Sequence, residues 1–304
     1  MHPAPSIIVF TVLSGAGLGM IAWLGAGLGP ASGWPGWLAA FLAVALVAAG
    51  GIASVFHLGR PANARFAFSQ WRSSWLSREA CLMPLTLAVF TLHAGLALLA
   101  GTELRWLGLL AAALALATVH ATSMIYAQLR TVPRWSATPT PALFIALALA
   151  GGLLGTQAVA GLAGGGSAGR SLLAILAAGG VWVWWQTAAA GARRGALGSD
   201  LATATGLAHP ASERVRLLEP PHTGPNYLLE EMAFVVGRRR SHQLRLLGGL
   251  FAFVVPAALT LLAMPLGGWL LPPAFALHLV GVLALRWLFF AEAEHVQAFY
   301  YGYR

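Results

Sequence analysis

Between positions 57 and 79 the chain gathers one histidine, four arginines, two tryptophans and one carboxylic acid into the gap between two long apolar stretches. The segment reads His57-Leu-Gly-Arg60-Pro61, then Trp71-Arg72-Ser-Ser-Trp75-Leu-Ser-Arg78-Glu79. A solvated interfacial loop accounts for arginines and tryptophans. It accounts less readily for His57 and Glu79, two groups able to exchange a proton near neutral pH, the imidazole intrinsically and the carboxyl by burial. Plain headgroup anchoring and a functional loop both stand at this point. Oxidising a quinol at a membrane boundary needs an amphipathic crevice for ring and tail, donors to the ring oxygens, and bases that take two protons as electrons leave. His57 would bind one ring oxygen and accept a proton, and Glu79 would relay it to water. Arg60 or Arg286 would stabilise developing negative charge. Trp71 or Trp75 would wall the ring or serve as an interface anchor.

The elements that must position these groups follow from composition. With 58% hydrophobic and 9% charged residues among 304 positions, the chain has too little polar surface for a water-soluble domain of its size. A ~30 Å hydrocarbon core takes roughly 20 apolar residues to cross as a helix, and eight segments qualify. They lie at about 6–28, 37–57, 81–101, 106–126, 141–162, 171–190, 244–264 and 269–291. The expected fold is an all-α bundle of eight transmembrane helices, one polytopic membrane domain over 1–304. Its sizeable extramembrane piece is the connection 191–243, where 225–240 has the marks of a helix lying on the membrane, on the bundle or on a partner. The first apolar span lacks a basic leader and a cleavage site, and is expected to stay as an anchor.

Charge gives sidedness. The formal charge is +9, and every cation is arginine. An even number of spans puts both termini on the same side as the gaps around 60–78, 130–134 and 191–243. That side holds fifteen of the eighteen arginines, counting Arg245 at the head of the seventh span. The opposite side has Arg105 and Arg170, and Arg286 falls inside the eighth span. The positive-inside tendency puts the termini and the Arg-rich loops in the cytoplasm. Arginines dispersed over loops in this way argue against nucleic acid as a partner. His57, His120, Tyr126 and Arg286, with Arg60, Glu79, Glu292, Glu294 and His295, all approach the Arg-rich face.

Two other uses of these residues compete with this one. A membrane b-haem wants two imidazoles at one depth on different spans, and only His93 and His278 match in depth. Both read more readily as buried, hydrogen-bonded polar residues. A secondary transporter would use interrupted helices such as 151–155, but the mid-membrane positions lack acidic residues and no repeat between the halves is visible. The single cysteine, Cys81, excludes an iron–sulfur cluster held by four thiolates of this chain, and no metal site is expected.

The sequence also resembles the membrane-anchor subunits of dimethyl sulfoxide reductase-type molybdoenzymes, the DmsC family, and more distantly the polysulfide reductase (NrfD-like) anchors. The resemblance is carried by Phe10-Thr11-Val12 with Gly15 to Gly19, His57-Leu58-Gly59-Arg60-Pro61 and Leu76-Ser77-Arg78-Glu79. Thr131-Val132-Pro133-Arg134-Trp135 with Thr138-Pro139, and Arg286-Trp-Leu-Phe-Phe with Glu292 to Gly302, extend it across nearly the whole chain. It implies an eight-helix, haem-free anchor in a bacterial inner membrane. Such an anchor binds menaquinol or ubiquinol and passes the electrons, for anaerobic respiration, to an iron–sulfur subunit that feeds a molybdopterin catalytic subunit. It further implies that His57 and Glu79 belong to the quinol site. The long connection 191–243 departs from a compact anchor, and anchors of this family have been assigned either orientation.

Overall fold

A computed structural model describes residues 4–56, 61–196 and 241–296, together with Gly206, Leu207, Val215 and Leu218. His57, Arg60 and the segment 225–240 lie outside the described residues. Among the described residues, eight helices are long and apolar enough to cross a membrane. They are α1 (Pro5–Gly25), α2 (Gly33–Val55), α3 (Trp75–Ala100), α4 (Arg105–Ala127), α5 (Thr140–Leu162), α6 (Ala168–Ala196), α7 (Ser241–Leu266) and α8 (Leu271–Ala291). In hydrocarbon every backbone N–H and C=O must be satisfied within its own segment, and a continuous helix does this.

The first helix is the hub of the bundle. It packs on α2, α4, α5 and α8, and with α5 it is the most deeply buried span. Glycine makes these approaches possible. A methyl group added at Gly19 would overlap the Ala148 carbonyl of α5, and one at Gly152 would overlap the Gly19 backbone in return. Lipid tails are as apolar as leucine, so membrane helices associate through such close backbone packing instead of hydrophobic exclusion. Helices α1 to α4 form one group and α5 to α8 a second, joined through α1, α2 and α4 on α5 and α1 on α8. Phe41, Leu92, Leu173 and Leu261 point outward from the lipid-facing spans. Trp34, Trp37, Trp106 and Trp269 are exposed at the Arg-poor ends of their helices, where an aromatic belt is expected.

Two local features shape the interior. Pro256 in α7 has no N–H to give to Ala252, and the turn around it opens into a π segment at Leu250–Val254. The carbonyl of Ala252 accepts instead from His278 Nδ1 of α8, at 2.6 Å. The second feature corrects an expectation. By its apolar run the third span should begin near Cys81, leaving Trp75 to Glu79 in the connection. In fact α3 starts at Trp75, because the Ser74 side chain accepts the Ser77 amide at 3.5 Å and caps the helix earlier. Glu79 therefore belongs to the second turn of a membrane helix.

Candidate functional site

That earlier start turns Glu79 inward. Its side chain is 4% exposed and meets the Thr122 hydroxyl of α4 in a short hydrogen bond. Thr122 also reaches the Thr118 carbonyl at 3.1 Å. A hydroxyl has a single proton, so Thr122 either shares it between the carboxylate and that carbonyl, or accepts from a protonated Glu79 and donates to Thr118. The pair therefore accommodates both protonation states without rearranging, as a proton-exchanging group requires. Deeper along the same seam, the Thr86 and Thr118 hydroxyls lie 3.1 Å apart, and each also reaches its own helix's carbonyl one turn back, at 2.8 Å.

One turn beyond Thr122, Tyr126 lies within electrostatic reach of both Glu79 and Arg286. Its ring stands edge-on to Trp135, Phe289 and Phe290 and stacks on Phe144, with centroids 5.3 to 5.7 Å apart. Arg286 is 3% exposed. Its guanidinium carbon sits 3.4 Å from the centre of the Phe144 ring, and its Nε and Nη1 have no hydrogen-bond partner among the described residues. Burial of a cation against an aromatic face is worth about 2 kcal/mol or more when water is excluded, but it does not satisfy the N–H groups. Arg286 also lines a chamber of about 20 Å³, together with Thr11, Ser14, Thr122 and His278. Such a chamber holds about one water molecule.

The site residues expected from sequence therefore separate. Glu79 and Arg286 are brought to one buried cluster. Trp71 is not: it is 57% exposed at the boundary, with the Arg72 guanidinium 5.7 Å from its ring centre. Arg78 ties this boundary segment to α3, donating to the carbonyls of Trp71 at 3.1 Å and Arg72 at 2.7 Å while lying 4.2 Å from the Trp75 ring centre. Trp75 in turn meets His120 edge-on at 5.7 Å. Two members of the cluster are not among the site residues that sequence reasoning finds. Tyr126 is visible there only as a polar group late in the fourth span. Nothing in the sequence marks Thr122, whose role comes from facing Glu79 across two helices.

A second cluster closes the same end of the bundle in its other half. One Glu292 oxygen pairs with Arg134 at 2.6 Å and the other with Arg245 at 2.5 Å, while Glu294 takes Arg193 at 2.5 Å. Burial pushes the Arg134 guanidinium below its ordinary pKa, with Glu292 opposing the shift. Trp135 Nε1 donates to the Phe289 carbonyl at 2.8 Å, and the Val296 amide donates to the Thr131 carbonyl at 2.9 Å. The segments 131–135 and 286–296, far apart in sequence, are thus one structural unit. The two mid-span histidines go elsewhere. His278 is fully buried with Nδ1 on Ala252 and its opposite edge against Gly151, and His93 lies on Gly108 of α4. The two imidazoles face different helix pairs.

Residues 1–184 match the DMSO reductase anchor subunit (DmsC) family. The chain belongs to that family. It is a multi-pass membrane anchor of an oxidoreductase complex. The matched residues run from α1 into α6 and include Glu79, Thr122, Tyr126 and Phe144, with Arg286 beyond them. Along almost its full length this anchor is also similar to a sulfite dehydrogenase subunit of Allochromatium vinosum, 32% identical over 335 aligned positions that cover 99% of each chain.

Proposed function

We propose that this anchor exchanges electrons with a membrane quinol, menaquinol or ubiquinol, at the Arg-rich end of α3 and α4. It would pass them to a docked iron–sulfur subunit that serves a molybdopterin catalytic subunit. The observation that carries the reading is Glu79. A carboxyl held inside a membrane bundle on one threonine hydroxyl, a turn behind an exposed tryptophan and arginine boundary, is expensive to keep unless it does chemistry. A quinol becomes a quinone by losing two electrons and two protons. Glu79 takes one proton from the ring hydroxyl, and Thr122 follows the change of charge. His57, expected to flank the same boundary, takes the other, and Arg60 holds the ring oxygen. The one-water chamber has no room for a ring, so the ring lies on the boundary side of Glu79, toward Trp71. Arg286 then acts from the interior through its charge.

Electrons need one-electron carriers to leave by, and the lone cysteine of this chain supplies too few thiolates for a cluster, so the carriers belong to the partner. The termini and Arg-rich loops face the cytoplasm of a bacterial inner membrane by the positive-inside tendency, and the anchor would serve anaerobic respiration.

The direction of flow has a second reading. The full-length relative is named as part of a sulfite dehydrogenase, and a partner that oxidises its substrate would drive electrons into the quinone. The same groups then deliver protons where they would otherwise accept them. Purifying the chain with its partners and measuring quinol oxidation against quinone reduction decides the direction. Normal quinol and quinone turnover in both His57→Ala and Glu79→Gln would overturn the site.

A further inference from the structure

The Arg-poor end of α1 to α4 holds a cavity of about 450 Å³ that the Glu79 site does not use. That volume lies in the range of small-molecule pockets, and its walls are both apolar and polar. Its lining runs from Gly36 and Ala40 of α2 to His93, Ala94 and Leu98 of α3, two helices that touch only sparsely. Gly25, Gly27 and Gly29 also line it. The exposed Glu103 and Arg105 complete the lining.

His93 decides the class of occupant. It makes no hydrogen bond among the described residues, and its Nδ1 is fully buried without a partner. One edge of the ring, Cε1 and Nε2, lies on the side-chain-free surface of Gly108. The Nδ1 is sealed from the cavity, so the ring nitrogen that His93 can offer an occupant is Nε2, which makes no hydrogen bond among the described residues and serves as donor or acceptor according to tautomer. It sits ~10 Å below the end of α3, at ~1.5 Å per residue. Phospholipid headgroups and esters stay at the boundary, and acyl tails bring no hydrogen-bonding atom to that depth. A flat ring with an oxygen at its edge does.

We infer that this cavity is a second binding site for a quinone-class ring, with its oxygen on His93 Nε2, its body against Ala94, Ala97 and Leu98 and its entry sideways between α2 and α3. The choice of ring class rests on the quinol reading of the Glu79 site, whereas the cavity and the unpaired imidazole stand without it. The site lies ~21 Å along α3 from Glu79 at the helical rise. It holds the ring as a reserve and carries no electron step.

The test is photolabelling of the intact complex, in phosphatidylethanolamine and phosphatidylglycerol nanodiscs, with short-tailed azido-benzoquinone and azido-naphthoquinone, followed by peptide mapping. The expected result is label within 24–31 or 90–98. His93→Phe, which removes the hydrogen-bonding ring, and Ala40→Phe, which fills the cavity from α2, should each reduce it at least tenfold. Label near 71–79 and dye-driven catalytic activity should stay unchanged, which reports that both variants fold and dock. Label confined to 71–79 in the wild type, label at 90–98 insensitive to both variants, or a phospholipid retained there that quinone does not displace would each overturn the proposal. Absence of label at 71–79 with normal turnover in Glu79→Gln would instead sink the Glu79 reading, so the two failures are distinct.

Discussion

Glu79→Gln is the substitution that isolates proton acceptance from everything else this side chain does. The amide keeps an oxygen to accept from Thr122 and nearly the same volume, so the contact between α3 and α4 survives. What disappears is the ability to take up a proton. A positioned general base contributes about 10²–10⁴-fold, or about 3–5 kcal/mol of barrier, so quinol-dependent turnover should fall by that factor. Glu79→Asp keeps the acid but withdraws it by about one methylene, and a misplacement of that order costs about 10²-fold. Thr122→Val leaves the carboxyl and removes the hydroxyl that donates to it. A hydrogen bond to a charged group is worth about 1.5–3 kcal/mol, which sets a ceiling near 10²-fold. The assay compares quinol-driven with dye-driven reduction by the purified complex, since the dye bypasses the anchor. Turnover in Glu79→Gln within a factor of about three of wild type, with the complex intact, would refute the reasoning.

Other consequences concern the rest of the cluster and the scaffold. Glu292→Gln strands Arg134 and Arg245 without their shared carboxylate. Breaking a buried pair costs about 3–5 kcal/mol, but Arg245 is 36% exposed and screened, so a loss of about 2–3 kcal/mol should appear as a lower thermal midpoint in detergent. The loss should exceed that of Glu294→Gln, whose partner Arg193 is also partly solvated. Burial lowers the His295 pKa below its ordinary value of 6.5, so the folded state disfavours the imidazolium. Stability is then full above about 6.5 and declines as pH falls through that value toward the folded pKa, so the protection of the Val296 amide, its exchange rate relative to the intrinsic rate at each pH, should be lower at pH 5.5 than at pH 7.5. Gly152→Val should prevent α1 and α5 from closing, because any Cβ there overlaps the Gly19 backbone, and expression of folded protein should drop severalfold.

How much of this is legible in the sequence depends on the kind of information needed. The eight spans and their alternation follow from run length and hydropathy, and the structure has eight such helices among the described residues. Helix ends are less legible. The third span begins six residues earlier than its apolar run because Ser74 caps it, so polar residues that read as a loop form the first turns of a helix. Arg286 and Glu79 stand out in the sequence as oddities because charged groups within spans are costly, yet their proximity depends on how the helices pack. Thr122 shows the limit most clearly. Threonines are common in membrane helices, and this one matters only because α4 is rotated to face α3. The union of 131–135 with 286–296 likewise needs the fold, since nothing local links those segments.

The spacing of the buried charges has its own logic. A direct ion pair between Glu79 and Arg286 would be the cheaper way to bury both, because each would satisfy the other. It would also hold the carboxylate ionised and deprive it of any reason to take a proton. The bundle does otherwise: Tyr126 lies near both groups, Thr122 occupies the carboxyl, and Phe144 together with a one-water chamber receives the guanidinium. Arg286 thereby lends positive potential to the region without capturing Glu79, and Glu79 stays free to change charge. The orphan nitrogens of Arg286 are the cost of that arrangement, and such a cost at the centre of packed membrane helices is hard to explain for a subunit that only anchors. Arg286→Gln tests this separation of roles. It keeps hydrogen-bonding capacity in the chamber and removes the charge, so a subunit that uses the potential loses quinol turnover while one that uses only packing keeps it.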